Sequence, residues 1–257
     1  MVICRYCSMH IKTQIIMWKK IGLFSVLIGL GFLVTNCESK GVNEVTNDLE
    51  NDNEEKVTPT MGPSKDYFTF DKLASDLEVV SMKDEYDYTV EYSRKKSDYA
   101  KQGLYLRKDT LGRIIEAANY ENDTLHGSRI IFYAETGTRQ IVENYSHGHF
   151  DGLYQVFHPN GKLEQEGNYI NNVMDSIWVR YYDTGQLMEE VTFRDNEENG
   201  PFKEFHPNGN IKAEGTYKDG DNEHGSLKLY DENGELFKTM NCKNGICKTI
   251  WKKEEIQ

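Results

Sequence analysis

Apolar and polar positions along the chain recur in a frame measured from a glycine. Seven residues before that glycine stand Tyr105, Ile130, Tyr154, Trp178, Phe202 and Leu227; four before it stand Tyr133, Phe157, Tyr181, Phe205 and Tyr230, with Lys108 breaking the line. Two residues after it come Ile114, Leu163, Leu187, Ile211 and Leu236, with Arg139 the exception; eight after it come Tyr120, Tyr145, Tyr169, Phe193, Tyr217 and then Cys242. The glycines are Gly112, Gly137, Gly161, Gly185, Gly209 and Gly234. A second series, Gly103, Gly127, Gly152, Ser176, Gly200 and Gly225, precedes them by nine residues, or ten at Gly127–Gly137. Both series return every 24 or 25 residues. A unit this short cannot enclose a core, so each copy must stack on its neighbours.

Each unit reads as a β-hairpin. In Gly152–Asp175, Leu153–Phe157 is rich in strand formers and Lys162–Tyr169 returns as a second strand. His158-Pro159-Asn160-Gly161 joins them, proline pre-setting φ and Asn-Gly supplying the positive φ of a tight turn. His206-Pro207-Asn208-Gly209 repeats that turn, and a last strand, Thr249–Trp251, closes the array. The expected fold is all-β, an elongated twisted antiparallel sheet of stacked hairpins: six copies and a closing strand over residues 103–251. Thirteen strands at ~4.8 Å spacing would span on the order of 60 Å. Leu163 and Tyr169 share parity and are expected on one face. Tyr154 and Phe157 differ in parity, so the first strand carries an aromatic on each face or contains a bulge. The aromatic rows serve either as packing between hairpins or as an exposed stripe for a peptide, glycan or lipid.

Residues 1–36 read as a signal segment, with Lys19-Lys20 before the apolar run Ile21–Val34 and a natural start at Met17. Val34-Thr35-Asn36-Cys37 resembles a bacterial lipobox, which implies lipidation of Cys37; Asn36 departs from its usual small residue. An ordinary secretory cut or an uncleaved anchor are the alternatives. Cys4 and Cys7 form a lone C-x-x-C, weak as a metal or redox signal. Residues 37–66 form an acidic tether too polar to fold. Residues 67–102 lack the glycine phasing and read as an N-terminal cap, with strands at Tyr67–Phe70 and Tyr86–Tyr92 or a helix over Phe70–Val80.

The frame from Gly103 to Trp251 resembles the bacterial variant of the MORN repeat, in proteins often described as YwqK-family antitoxins. That resemblance implies a hairpin sheet used for contacts with proteins or lipids; a toxin-neutralising role is the alternative it carries. The 257 residues include 38% hydrophobic and 12% aromatic residues, and their net charge is −12. No basic stripe is present, so nucleic acid is not an expected partner. The expectation is a non-catalytic platform without cofactor or metal. It is lipid-anchored at Cys37 in a bacterial envelope, periplasmic or surface-facing, at the outer membrane, with an unknown protein partner.

Three constellations qualify that reading. Glu166, Glu190 and Glu214 recur five residues after the inner glycine, ~9–10 Å apart by strand spacing, near the separation of an inverting glycosidase pair. A solvated repeat slot gives the same line. His158 and His206 fall roughly 19 Å apart, too far to share a metal, and read as solvated turn residues; His147 and His149 lack a visible third ligand. Cys242 and Cys247 flank Lys243-Asn244-Gly245-Ile246, where Asn-Gly sets a two-residue turn. They then face each other as a non-hydrogen-bonded pair, Cα atoms ~4.5 Å apart, and a disulfide is expected; two reduced thiols are the alternative. If the copies are modular, deleting Ser176–Asn199 should leave a cooperative urea transition, whereas deleting half of that segment should abolish it. Equal tolerance of the two deletions contradicts stacked hairpins.

Overall fold

The computed structural model describes residues 68–254; the signal segment, Cys37 and the tether lie outside the described residues. The described chain forms one antiparallel sheet in which strands follow in chain order. Seven hairpins succeed one another: β1–β2 (Leu77–Lys83, Thr89–Lys95), β3–β4 (Lys101–Lys108, Ile114–Glu121), β5–β6 (Thr124–Phe132, Arg139–Ser146), then β8–β9 (Gly152–Phe157, Leu163–Ile170) after the two-residue β7 (His149–Phe150). The last three are β10–β11 (Val173–Tyr181, Leu187–Arg194), β12–β13 (Glu197–Phe205, Ile211–Tyr217) and β14–β15 (Gly225–Tyr230, Leu236–Lys243), with β16 (Ile246–Lys252) closing the edge.

At the inner tip of each hairpin a loop of three residues, or four in the third hairpin, ends in a left-handed residue. The His158 N–H donates to the Lys162 carbonyl and the Gly161 N–H to the His158 carbonyl. Gly112, Gly137, Gly161, Gly185, Gly209 and Gly234 all take φ between +70° and +90°, the geometry glycine adopts without steric cost. The first hairpin follows the same rule with Asp87 (φ 61°), 25 residues before Gly112 and bonded to the Asp84 carbonyl. Residues 77–102 therefore continue the repeat rather than cap it with another structure. Tyr86 lies in the turn, Phe68–Phe70 is not a strand, and Leu77–Val80 belongs to β1 rather than to a helix.

Two kinds of bulge set the faces. Where the chain passes the earlier glycine series, two extra residues enter the first strand: Tyr120 pairs with Leu125, but Ala118 pairs with Arg129. An even insertion preserves facing. After every inner turn but that of β1–β2, whose register is continuous, one extra residue enters the second strand: Phe157 pairs with Leu163, while Val156 pairs with Gln165, skipping Glu164. An odd insertion reverses facing. Leu163 and Tyr169 thus lie on opposite faces despite their shared parity. In the third hairpin the additional residue sits in the turn, which closes from Gly137 N–H to the Tyr133 carbonyl. Arg129 rather than Ile130 then matches Tyr154, and Phe132 rather than Tyr133 matches Phe157.

One face is a sheet of rings. Tyr145, Phe150, Tyr169, Tyr154 and Trp178 follow one another at centroid separations of 4.6 to 5.8 Å, and Phe202 stacks on Tyr217 at 4.1 Å. Trp178, Phe202 and Tyr217 are buried in a single layer because each ring lies over its neighbours and over backbone. A Cβ on Gly167 would stand 2.1 Å from the Trp178 ring, and one on Gly215 would stand 2.8 Å from Phe202. The reverse face has its own small core, Leu106, Ala117 and Phe132, covered by Phe68 and Phe70 from the segment before β1. Lys248, Lys252 and Lys253 at the closing edge deter a further strand from pairing.

Gly167→Ala forces the Trp178 ring off its seat and should cost ~1–3 kcal/mol, read as a lowered urea midpoint with unchanged slope. An unchanged midpoint would show that the ring is not seated there.

Candidate interaction face and its polar ladders

The reverse face changes character along the array. Its central slots are Leu106, Ala117, Ile130 and Val142 in the second and third hairpins, then Gln155, Glu166, Val179, Glu190, Lys203, Glu214 and Lys228 onward. The apolar stretch is where Phe68 and Phe70 pack, with Phe68 edge-on to Phe132 at 6.0 Å. Beyond it, the slot of Phe132 continues as Phe157, Tyr181, Phe205 and Tyr230, beside Leu163, Leu187, Ile211 and Leu236, all half-buried.

The glutamate line lies in the charged part of this face. The carboxylates do not face one another. Register places Val179 between Glu166 and Glu190, and Lys203 between Glu190 and Glu214. Glu166 accepts bonds from Gln155 (3.2 Å) and from the Tyr181 hydroxyl (3.3 Å). Glu214 accepts from Lys228 (2.9 Å) and the Tyr230 hydroxyl (2.7 Å). Those two hydrogen bonds, Lys228 first, hold the Glu214 carboxyl below its ordinary range, the opposite of what a general acid needs.

His158 and His206 are not solvated turn residues. The His158 Nε2 meets the Tyr181 carbonyl at 3.1 Å and the His206 Nε2 meets the Tyr230 carbonyl at 3.0 Å. In the same slot of other hairpins, the Tyr133 and Tyr182 hydroxyls donate to the Phe157 and Phe205 carbonyls, each at 2.8 Å. A polar tip from one turn thus binds the strand end of the next hairpin. The opposite ends carry a second ladder, of two-residue turns except after β2 and β13. The Asn172 and Asn196 N–H groups donate to the carbonyls of Phe150 and Met174, and their side-chain oxygens accept the N–H of those same residues.

In the last of these turns Cys242 is paired with Cys247 and bonded to it, with Cα atoms 3.9 Å apart. The apolar slot that Cys247 occupies is Leu125, Phe150 and Met174 in earlier copies, but Glu198 and Glu223 in the two copies between. Glu198 pairs with buried Phe193, and its Oε2 is buried without a hydrogen bond. Burial first, then the Glu189, Asp221 and Glu223 carboxylates, pushes Glu198 up to about 7. The same surroundings push the Tyr217 hydroxyl up.

Two further groupings have potential chemistry. A cleft of about 570 Å³ is lined by Arg107, Arg113 and Arg129, but each guanidinium is already paired, with Asp84, Asp109, and Glu116 plus Glu143 respectively. At the outer turns, Glu121, His126 and His147 bring one ligand atom each within 4.8 Å of the others. His149 is held instead by Asn172, at 2.6 Å.

The MORN repeat variant matches residues 150–171, 174–195, 198–219 and 223–244. Each match opens at the slot held by Phe150, Met174, Glu198 or Glu223, so the matches follow the hairpin copies one for one. The first three hairpins share the left-handed turn residue of these copies but fall outside the matches. No curated protein matches the chain.

Glu198 gives a test with a defined sign. Its folded carboxyl, near 7, lies above the ordinary 4.5. Its contribution is therefore fully present below that ordinary value and is lost as pH rises through the folded one. Glu198→Gln should stabilise the protein at pH 8 by on the order of 1–3 kcal/mol relative to its effect at pH 4. Urea midpoints of parent and variant at both pH values check this; an equal difference at the two would contradict it.

Proposed function

We propose that this chain is a non-catalytic repeat platform of a bacterial cell envelope, anchored by lipid at Cys37, which holds an extended partner segment against the reverse face of its MORN-variant copies. The carrying observation is the seat of Phe68 and Phe70. Here the chain lays its own Phe-Thr-Phe segment over Leu106, Ala117 and Phe132. The same slots continue as the half-buried Phe157, Tyr181, Phe205 and Tyr230. The partner segment that fits them carries aromatic side chains for the Phe157–Tyr230 row. It also carries charges of both signs for Glu190 and Lys203, since Glu214 and Lys228 pair with each other. The partnered state of Glu166 and Glu214 supports a binding rather than a catalytic role. The apolar run before Cys37 supports export and anchoring.

The test has two arms. Cys37→Ala should leave unprocessed precursor without palmitate label; normal labelling in that variant removes the anchor. Photocrosslinkers at Phe157 and Phe205 should each trap the same envelope protein. Crosslinkers at Trp178 and Phe202, which point to the buried ring face, should trap none. Capture of the same protein from both faces, or from neither, ends the platform reading.

A further inference from the structure

The outer turns hold a constellation that the platform reading does not use. Glu121 ends β4, His126 lies in β5, and His147 opens the turn after β6. One ligand atom from each falls within 4.8 Å of the other two. The His126 Nδ1 stands 3.8 Å from a Glu121 carboxylate oxygen. The two imidazole rings meet at 4.9 Å, edge to face.

The repeat itself shows that these residues are not demanded by the fold. The position of His147 is the first residue of a two-residue turn. In the other copies it is Asn122, Asn171, Asp195, Asp219 and Asn244, all left-handed. Asn, Asp and His all enter that backbone more readily than other side chains, so the turn itself does not select histidine over the Asn or Asp of the other copies. The position of His126 is held elsewhere by Gln102, Asp151, Asp175, Asn199 and His224, and that of Glu121 by Ser146, Ile170, Arg194, Lys218 and Lys243. Three slots that vary freely converge on ligating side chains at one place.

The backbone beneath them is fixed. The Gly148 N–H, next to His147, donates to the Leu125 carbonyl, next to His126, at 2.8 Å. The turn between Glu121 and His126 is tied in the same way, from the Asp123 N–H to the Lys101 carbonyl at 3.0 Å. The side chains are partly or fully exposed and can rotate. Ligands of a tetrahedral zinc ion lie ~3.4 Å apart, so small rotamer adjustments close the present separations.

We propose that Glu121, His126 and His147 form a three-ligand site for a first-row transition ion of the zinc class. Two imidazoles and one carboxylate suit Zn²⁺ rather than Ca²⁺ or Mg²⁺, which take all-oxygen sets. Three protein ligands leave a position open for water or for a side chain of another protein. The ion would tie the turn that follows β4 to the turn that follows β6, so binding stabilises the contact between neighbouring hairpins. His149, bonded to Asn172, takes no part.

Zinc titration by calorimetry tests this on the full chain carrying Cys4→Ser, Cys7→Ser and Cys37→Ser, which removes thiols outside the site. The expected result is one saturable Zn²⁺ per chain and a zinc-dependent rise in melting temperature. His126→Ala or His147→Ala should abolish both, and Glu121→Gln should weaken affinity by at least about tenfold. His149→Ala should leave both intact. The melting temperature without zinc reports whether each variant folds. Absence of saturable binding in the parent, binding retained in His147→Ala, or equal loss in His149→Ala overturns the site.

Discussion

The left-handed backbone at the two ends of each hairpin is the constraint on which the rest of this sheet depends. An antiparallel array of short strands keeps its register only if each reversal has a defined geometry. Here the inner reversal uses one left-handed residue after a tight turn, and every outer reversal after the first uses two in succession, as at Asn171 and Asn172 or Asp195 and Asn196. Glycine, asparagine and aspartate are the residues that enter this region at low cost. Their spacing therefore sets the period, and the period sets which side chains meet across strands. The side chains then reinforce the turns. Asn172 and Asn196 not only adopt the required φ but also bind the preceding outer end through N–H and side-chain oxygen together.

The two faces meet different requirements. On the ring face, aromatic side chains in one layer can be buried only by lying over one another and over bare backbone, which is why Gly167 and Gly215 stand beneath Trp178 and Phe202. Where the copies depart from that pattern, the departure carries electrostatic consequences. Arg129 with Glu143 replaces the ring-and-glycine pair of the next copy and is satisfied, since the guanidinium also binds Glu116 and the Glu143 carboxylate also accepts from Tyr145. Glu198 replaces an apolar residue and is not satisfied, so its burial resists ionisation. The reverse face is covered by the chain's own phenylalanines at one end and charged at the other.

Much of this architecture was legible in the sequence. The glycine frame gave the hairpins, their order and the pairing of Cys242 with Cys247, because turn chemistry is local. The first hairpin escaped because Asp87 stands where later copies have glycine, and aspartate can take the same backbone. The assignment of Ile130 to the Tyr154 slot failed because the third unit's extra residue could have entered strand or turn; only the register shows that it entered the turn. The face of Leu163 was misread because a bulge leaves no residue signature when the extra position is an ordinary Glu164. The histidine ladder was visible in principle, since His158, Tyr182 and His206 alternate in one slot. The reach of each tip to the next hairpin's carbonyl is a matter of three dimensions. The grouping of His126 with His147, 21 residues apart, likewise needed the stacking of outer turns.

Strand order that never departs from chain order has a mechanical consequence. A load applied across the sheet, from one terminal strand toward the other, meets the ladder bonds a few at a time rather than together. Each hairpin would peel from the edge as a separate event, with its turn-to-turn bonds breaking alongside its strand bonds. Since the copies are 24 or 25 residues long, successive events would release nearly equal lengths of chain, on the order of 80 Å each at ~3.3–3.6 Å per extended residue. The sheet is thereby built to lengthen in steps under tension and to reclose one hairpin at a time when the tension is relieved.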